Sequence, residues 1–176
     1  KNTDLDKVNL KEKVQTAPNK EHQKTELFRV VKKDSLESKS TKIDYKIIQR
    51  ADYEFSYCEE FELPYFVKYT INKEDVFGVG NRDKSRWKSD PLVDTKTGAN
   101  SDYVRSGYDR GHLKPAAVSK TTQEHMNQSH LFSNCSPQLP AFNRGGWRSI
   151  EGTVRHIVGD GVQDSVIVYT GPILTG

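Results

Sequence analysis

The stretch Tyr108-Asp109-Arg110-Gly111-His112-Leu113-Lys114-Pro115 brings a carboxylate, a guanidinium and an imidazole close together along the chain. The glycine among them lets another backbone or a ligand come close. Two clusters follow, Ser133-Asn134-Cys135-Ser136-Pro137-Gln138 and Phe142-Asn143-Arg144-Gly145-Gly146-Trp147, with Glu151 just beyond. Hydrolysis of a phosphodiester needs a deprotonated water, neutralised phosphate charge and a stabilised leaving oxygen. A neutral imidazole can take the water's proton near physiological pH, which makes His112 the natural base. An arginine fork matches phosphate oxygens, so Arg110 and Arg86 are the candidates to stabilise the transition state. If the three segments meet in the fold, they can form a one-metal site for this chemistry.

Those segments must be carried by a scaffold, and the bulk of the chain bounds what it can be. At 176 residues the length fits one domain with a real core. The formal net charge of +3 is too weak to identify a nucleic-acid binder. Residues 1–50 hold 13 Lys/Arg against 8 Asp/Glu, whereas residues 51–176 hold 14 against 16. The half carrying the motifs is slightly acidic, so any grip on phosphate must be a local patch. No apolar run approaches the ~20 residues of a membrane span. The chain starts at Lys1 without a methionine, so a leader or tag is expected to have been removed. A secreted or periplasmic location is the matching expectation. Cys58 and Cys135 read first as two buried thiols; a disulfide between them would favour an oxidising compartment.

Residues 1–45 form a polar, Lys-rich arm in which only Leu27-Phe28-Arg29-Val30-Val31 suggests a short strand or helical turn. From there to residue 176 the pattern is that of a folded domain. Tyr45-Lys46-Ile47-Ile48 reads as a short strand, and Tyr53-Glu54-Phe55-Ser56-Tyr57 alternates as a half-buried strand does. Leu63-Pro64 breaks the chain before a strong strand, Tyr65-Phe66-Val67-Lys68-Tyr69-Thr70-Ile71. Asn72-Lys73-Glu74-Asp75 is a turn or short connection. Residues 80–101 read as a long surface loop. Thr121-Thr122-Gln123-Glu124-His125-Met126 predicts a short helix with a hydroxyl N-cap, leaving surface or capping roles for His125 and His130. Phe142, Trp147, Ile150, Val154 and Ile157 or Val158 share a helical face that ends at Gly159, with Trp147 in the core. Ser165-Val166-Ile167-Val168-Tyr169-Thr170 reads as a buried strand.

Taken together these motifs resemble the DRGH family of DNA/RNA non-specific endonucleases, most closely its bacterial members. The likeness includes Tyr57-Cys58-Glu59-Glu60, Arg86-Trp87-Lys88-Ser89-Asp90-Pro91, Asp102-Tyr103, Leu131-Phe132-Ser133-Asn134 and Thr170-Gly171-Pro172. It runs in one order from about Tyr53 to the C-terminus. The resemblance implies an α+β fold with a mixed or antiparallel sheet and a ββα-metal (His-Me) finger. It implies a metal-dependent endonuclease acting on DNA and RNA, with His112 as general base and Asn143 as the ion's protein ligand. An amide oxygen plus waters suits Mg²⁺, with Mn²⁺ or another divalent ion an alternative, and suits Zn²⁺ poorly. Glu151 would hold metal-bound waters, Asn134 would orient a catalytic group or the phosphate, and Asp109 would support by anchoring a neighbouring backbone or a metal-bound water. The family's upstream arginine maps to Arg86 or, on a looser loop alignment, to Arg82. Lys114, Arg105, Arg144 and Arg148 are candidate contacts to the nucleic-acid strand.

Two departures stand out. Val118 occupies a position where bacterial relatives often carry an acid. Family domains usually continue with further sheet beyond Thr-Gly-Pro, so a chain ending at Gly176 is expected to be incomplete there or to leave a sheet edge open. The rival reading is a catalytically silent nucleic-acid-binding module of the same fold. The sequence leaves the oligomeric state open, a homodimer included.

Overall fold

A computed structural model of the chain describes residues 46–174. The arm expected over residues 1–45, with its short element at residues 27–31, lies outside the described residues. Among those described, six strands form: β1 (Ile47–Gln49), β2 (Glu54–Cys58), β3 (Leu63–Asn72), β4 (Asp109–His112), β5 (Cys135–Gln138) and β6 (Ser165–Thr170). The α-helices are α1 (Lys73–Phe77), α2 (Asn100–Tyr103), α3 (Gln123–Ser129) and α4 (Arg148–Gly159). Strands β1-β2-β3-β6 make one antiparallel sheet in that order, and β4-β5 make a separate two-stranded ribbon. The architecture is α+β, as expected.

The sheet exists to bury one face. Alternation along β3 turns Val67, Tyr69 and Ile71 to the core, where Val166 and Val168 of β6 join them. Leu113 and Val118, from the chain after β4, and Val154 and Val158 of α4 pack into the same cluster. The segments that carry the site are therefore fixed to the sheet by apolar burial.

Several local expectations change on inspection. Pro64 does not break the chain; it lies within β3, where the pairing jumps from Ser56↔Phe66 to Tyr57↔Pro64. The jump leaves an extra residue on β3, and a bulge is one place a strand tolerates a residue with no N–H. β2 is buried from Phe55 to Cys58 on both sides, not half-buried. β6 is the reverse: its outward Ile167 and Tyr169 are exposed, since only its inward side meets the core. Residues 80–101 are not a plain surface loop, because Ser85, Asp90, Val93 and Thr97 are buried. The Asp90 carboxylate there accepts from Ser133 and pairs with Arg50. Cys58 and Cys135 are both free thiols.

The last helix also starts differently. Residues Phe142–Trp147 form a π-helical turn before α4 begins. Its wider turn changes the phase of the face read from 3.6-residue spacing. Phe142 and Ile150 are exposed, while Val154 and Val158 are buried and Trp147 and Glu151 are half-buried. Glu151 shares the inward stripe of α4 with Val154 and Val158, and Ile150 lies outside it.

Candidate active site

The ribbon positions the base. β4 pairs with β5 from Asp109↔Gln138 to His112↔Cys135. Pleating sends Arg110 and His112 to one side and Asp109 to the other. Gly111 is needed because a Cβ there would meet the Gln138 side chain at 2.2 Å. The close approach anticipated at this glycine is made by β5.

Four hydrogen bonds tie the π-helical turn to β4. The Asn143 side-chain nitrogen donates to Asp109 Oδ2 at 3.0 Å, and Trp147 Nε1 donates to the His112 carbonyl at 3.0 Å. One end of the strand thus holds the start of the turn, and the other end holds its finish. Asp109 also accepts two bonds from Arg144, at 2.8 and 2.7 Å. These bonds, with Arg144 and Arg110 nearby, hold its carboxyl down at about 2. Asp109 is therefore an anionic anchor for Asn143, while Arg144 is spent on that anchor.

His112 is 8% exposed, and its Nε2 is buried without a partner. Burial, then the neighbouring His130 and Arg82, keeps its pKa well below the usual histidine value, so the imidazole is neutral at physiological pH. Its ring packs against Trp87 at 4.6 Å and edge-on against His130 at 4.8 Å. Beside these rings opens a cleft of about 550 Å³ lined by Arg82, Arg86, Trp87, Asn100, Arg110 and His130, with Asp83 and Ser85. Within it Arg110 lies over the Tyr103 ring and donates to Asn100. Arg86 turns one nitrogen to the carbonyls of Asp83 and Ser85. Arg82 exerts its charge on His112, His130 and Glu151 alike.

Glu151 is pushed up to about 7 by burial, against the opposing pull of Trp147, Arg82, Arg155 and Arg148. A buried carboxyl poised near neutrality, under the same Arg82 charge that acts on a neutral imidazole, is a common condition of functional sites. The described residues contain no group of three or more His, Cys, Asp or Glu side chains able to hold an ion. The residues do fit an ion that keeps much of its water: with Asn143's nitrogen committed to Asp109, its carbonyl oxygen is the donor left over.

Sequence comparison decides the family. The profile described as DNA/RNA non-specific endonuclease matches residues 33–176. The chain belongs to the DNA/RNA non-specific endonuclease family. It is 37% identical over 131 residues to a nuclease of Syncephalastrum racemosum, covering 72% of this chain and 40% of that one. It is 33% identical over 125 residues to mitochondrial endonuclease G of Bos taurus, covering 70% and 41%. A solved structure of the EndoG/EndoGI complex matches with a TM-score of 0.67 at 32% identity, over 72% of this chain and 52% of that chain. The chain thus spans about two fifths of the length of these two curated relatives.

For this non-specific endonuclease family member the site residues named from sequence sort as follows. His112, Arg110, Asp109 and Asn143 lie on the ribbon and the turn tied to it, Glu151 on the helix that follows, and Arg86 on the cleft. Asn134 is fully buried and turned to backbone: its oxygen accepts from the Lys114 N–H at 2.7 Å, and its nitrogen donates to the carbonyls of Lys114 and Ser129. It reaches His112 only through the chain between them. Lys114 cannot contact a nucleic-acid strand, because its side chain is 0% exposed and its ammonium is paired with Asp52. Trp147 is half-buried and holds the base's carbonyl, which is more than core filling. His130 caps α3 as expected but also touches the base, which no spacing signalled.

Proposed function

We propose that the chain hydrolyses phosphodiester bonds in DNA and RNA without regard to base sequence, with His112 as general base. The observation that carries this reading is the double tie of Asn143 to Asp109 and of Trp147 to His112. It makes one unit of a neutral imidazole and a carboxamide oxygen, beside a cleft rich in arginine.

In the mechanism, neutral His112 takes a proton from the attacking water. Arg110, on the same side of β4, and Arg82, whose charge reaches both His112 and Glu151, hold the phosphate oxygens as charge builds on them. Asn143 would hold a divalent ion through its carbonyl oxygen, and Glu151 would hold that ion's waters without touching it. When bound, Mg²⁺ supplies positive charge to the leaving oxygen. Arginine contacts to phosphates rather than base edges would leave sequence unread. Products carrying 5′-phosphate and 3′-hydroxyl ends follow from a leaving 3′ oxygen.

Digestion of plasmid and of RNA, with Mg²⁺ and with chelator, tests this. His112→Ala is expected to lose about 10²-fold or more, and Asn143→Ala to weaken the metal dependence. Arg82→Ala should cost more than Arg86→Ala, whose guanidinium is partly committed to its own loop. If His112→Ala and Asn143→Ala both cut like the parent, these assignments are wrong. Binding of nucleic acid without any cutting by the parent would mark a silent module.

A further inference from the structure

His130 is 4% exposed, and its ring stands nearly perpendicular to that of His112 at 4.8 Å. Trp87 packs against both rings, at 4.6 Å and 5.3 Å. Two imidazoles therefore share one aromatic wall at the edge of the arginine cleft. Their hydrogen bonds differ. His130 Nδ1 lies 2.9 Å from the Met126 carbonyl, an acceptor only, and 3.1 Å from the Ser129 hydroxyl, whose own proton goes to that carbonyl; this assigns the ring proton to Nδ1 and leaves Nε2 to take another. On becoming a cation His130 would keep its bond to Met126. His112 has a buried Nε2 with no partner, so a cation there would strand a charged N–H.

Resting on the nuclease reading of His112, we propose that His130 is a positioning residue for the base: it props the His112 ring and takes the first proton of the pair as pH falls. With that proton on His130, a second positive charge at His112 is opposed at short range, and the base stays neutral to lower pH. Two groups this close titrate as a pair, whose macroscopic steps belong to both. Burial lowers both pKa values, and Arg82 lowers them both. Arg86, Arg110 and Asp83 also face the cleft, and Glu151 faces Arg82 from α4. Of these charges Arg82 acts on both rings, whereas of the two rings only that of His130 is bonded to the Met126 carbonyl.

The test compares the parent with His130→Phe and His130→Gln by the pH profile of kcat/KM on duplex DNA, from about pH 4.5 to 8. A unit charge at this separation is worth about half a pH unit even under water-like screening. The acid limb is therefore expected to move up by about half a unit or more in both variants. Phenylalanine preserves the aromatic packing, so a limb that stays in place in a folded His130→Phe overturns the proposal. A second readout needs no turnover: ring-proton NMR titration of the parent, with His130→Phe assigning the signals. His130 is expected to titrate at the higher pH, and removing it should raise the midpoint of His112. If His112 takes the first proton, the proposal fails. A parent that never cuts DNA would sink the nuclease reading, while the order of ring titration would still decide this one.

Discussion

Glu151 shows how one residue couples the site to stability. Its carboxyl is half-buried on the inward stripe of α4, and its pKa is raised to about 7 from 4.5. Between those values the folded protein binds more protons than the unfolded chain does. The raised pKa therefore favours folding fully below the unfolded value, and that contribution is lost as pH rises through about 7. Allowing for residual exposure, the loss is on the order of 1–3 kcal/mol. Without divalent ions, Glu151→Gln should flatten the fall in Tm of the parent between weakly acidic and weakly alkaline pH, while lowering nuclease activity. Parallel Tm–pH curves for the two proteins would show that the carboxyl is not strained by burial. Adding Mg²⁺ above neutral pH should stabilise the parent more than the variant, since only the parent offers a negative charge.

At the scale of elements, the site depends on how the π-helical turn is held to β4. Trp147→Phe keeps most of the packing against Phe142, which lies 5.8 Å away between ring centres, but removes the donor to the His112 carbonyl. A lost hydrogen bond of this kind is worth about 1 kcal/mol. With the arginines gripping the substrate as proposed, the variant is expected to lose about 5-fold in kcat with little change in KM. A fall confined to KM would place Trp147 on the substrate instead. This turn also marks the limit of what the sequence made legible. A run of aromatic and branched residues marks β3, a hydroxyl before polar residues marks the N-cap of α3, and the run of motifs names most of the site. The π-helical turn is not legible, since its glycines and tryptophan fit an ordinary helix equally well, and spacing alone does not separate Ile150 from Glu151, which stand three and four residues after Trp147. Nor could spacing show that Lys114 points inward or that His130 meets His112. Both depend on contacts between segments that are far apart along the chain, with Asp52 and β4 as the partners.

At the scale of the whole molecule, a buried charge joins the active ribbon to the sheet. Lys114 follows His112 by two residues, and Asn134 clamps its backbone on both sides. Its ammonium is paired with the Asp52 carboxylate in the turn between β1 and β2, accepts no water-facing role, and lies over the rings of Tyr53 and Tyr69 at 5.9 and 5.7 Å. His125 of α3 approaches the same carboxylate at 3.5 Å, so three parts of the fold converge on Asp52. Removing one member of such a pair leaves the other charge buried alone, which costs about 3–5 kcal/mol. Replacing both can come close to neutral, because the cost of desolvating two ions disappears with them. Lys114→Met should therefore lower stability to denaturant by about that amount, and Asp52→Asn with Lys114→Met should recover much of it. Equal losses in the single and double variants would mean that packing, not charge, governs this junction. The same burial separates Lys114 from the cleft arginines in another respect. With exposed Arg82 holding phosphate as proposed, its replacement by alanine should shallow the slope of binding against salt, whereas the double variant at Asp52 and Lys114 should leave that slope alone.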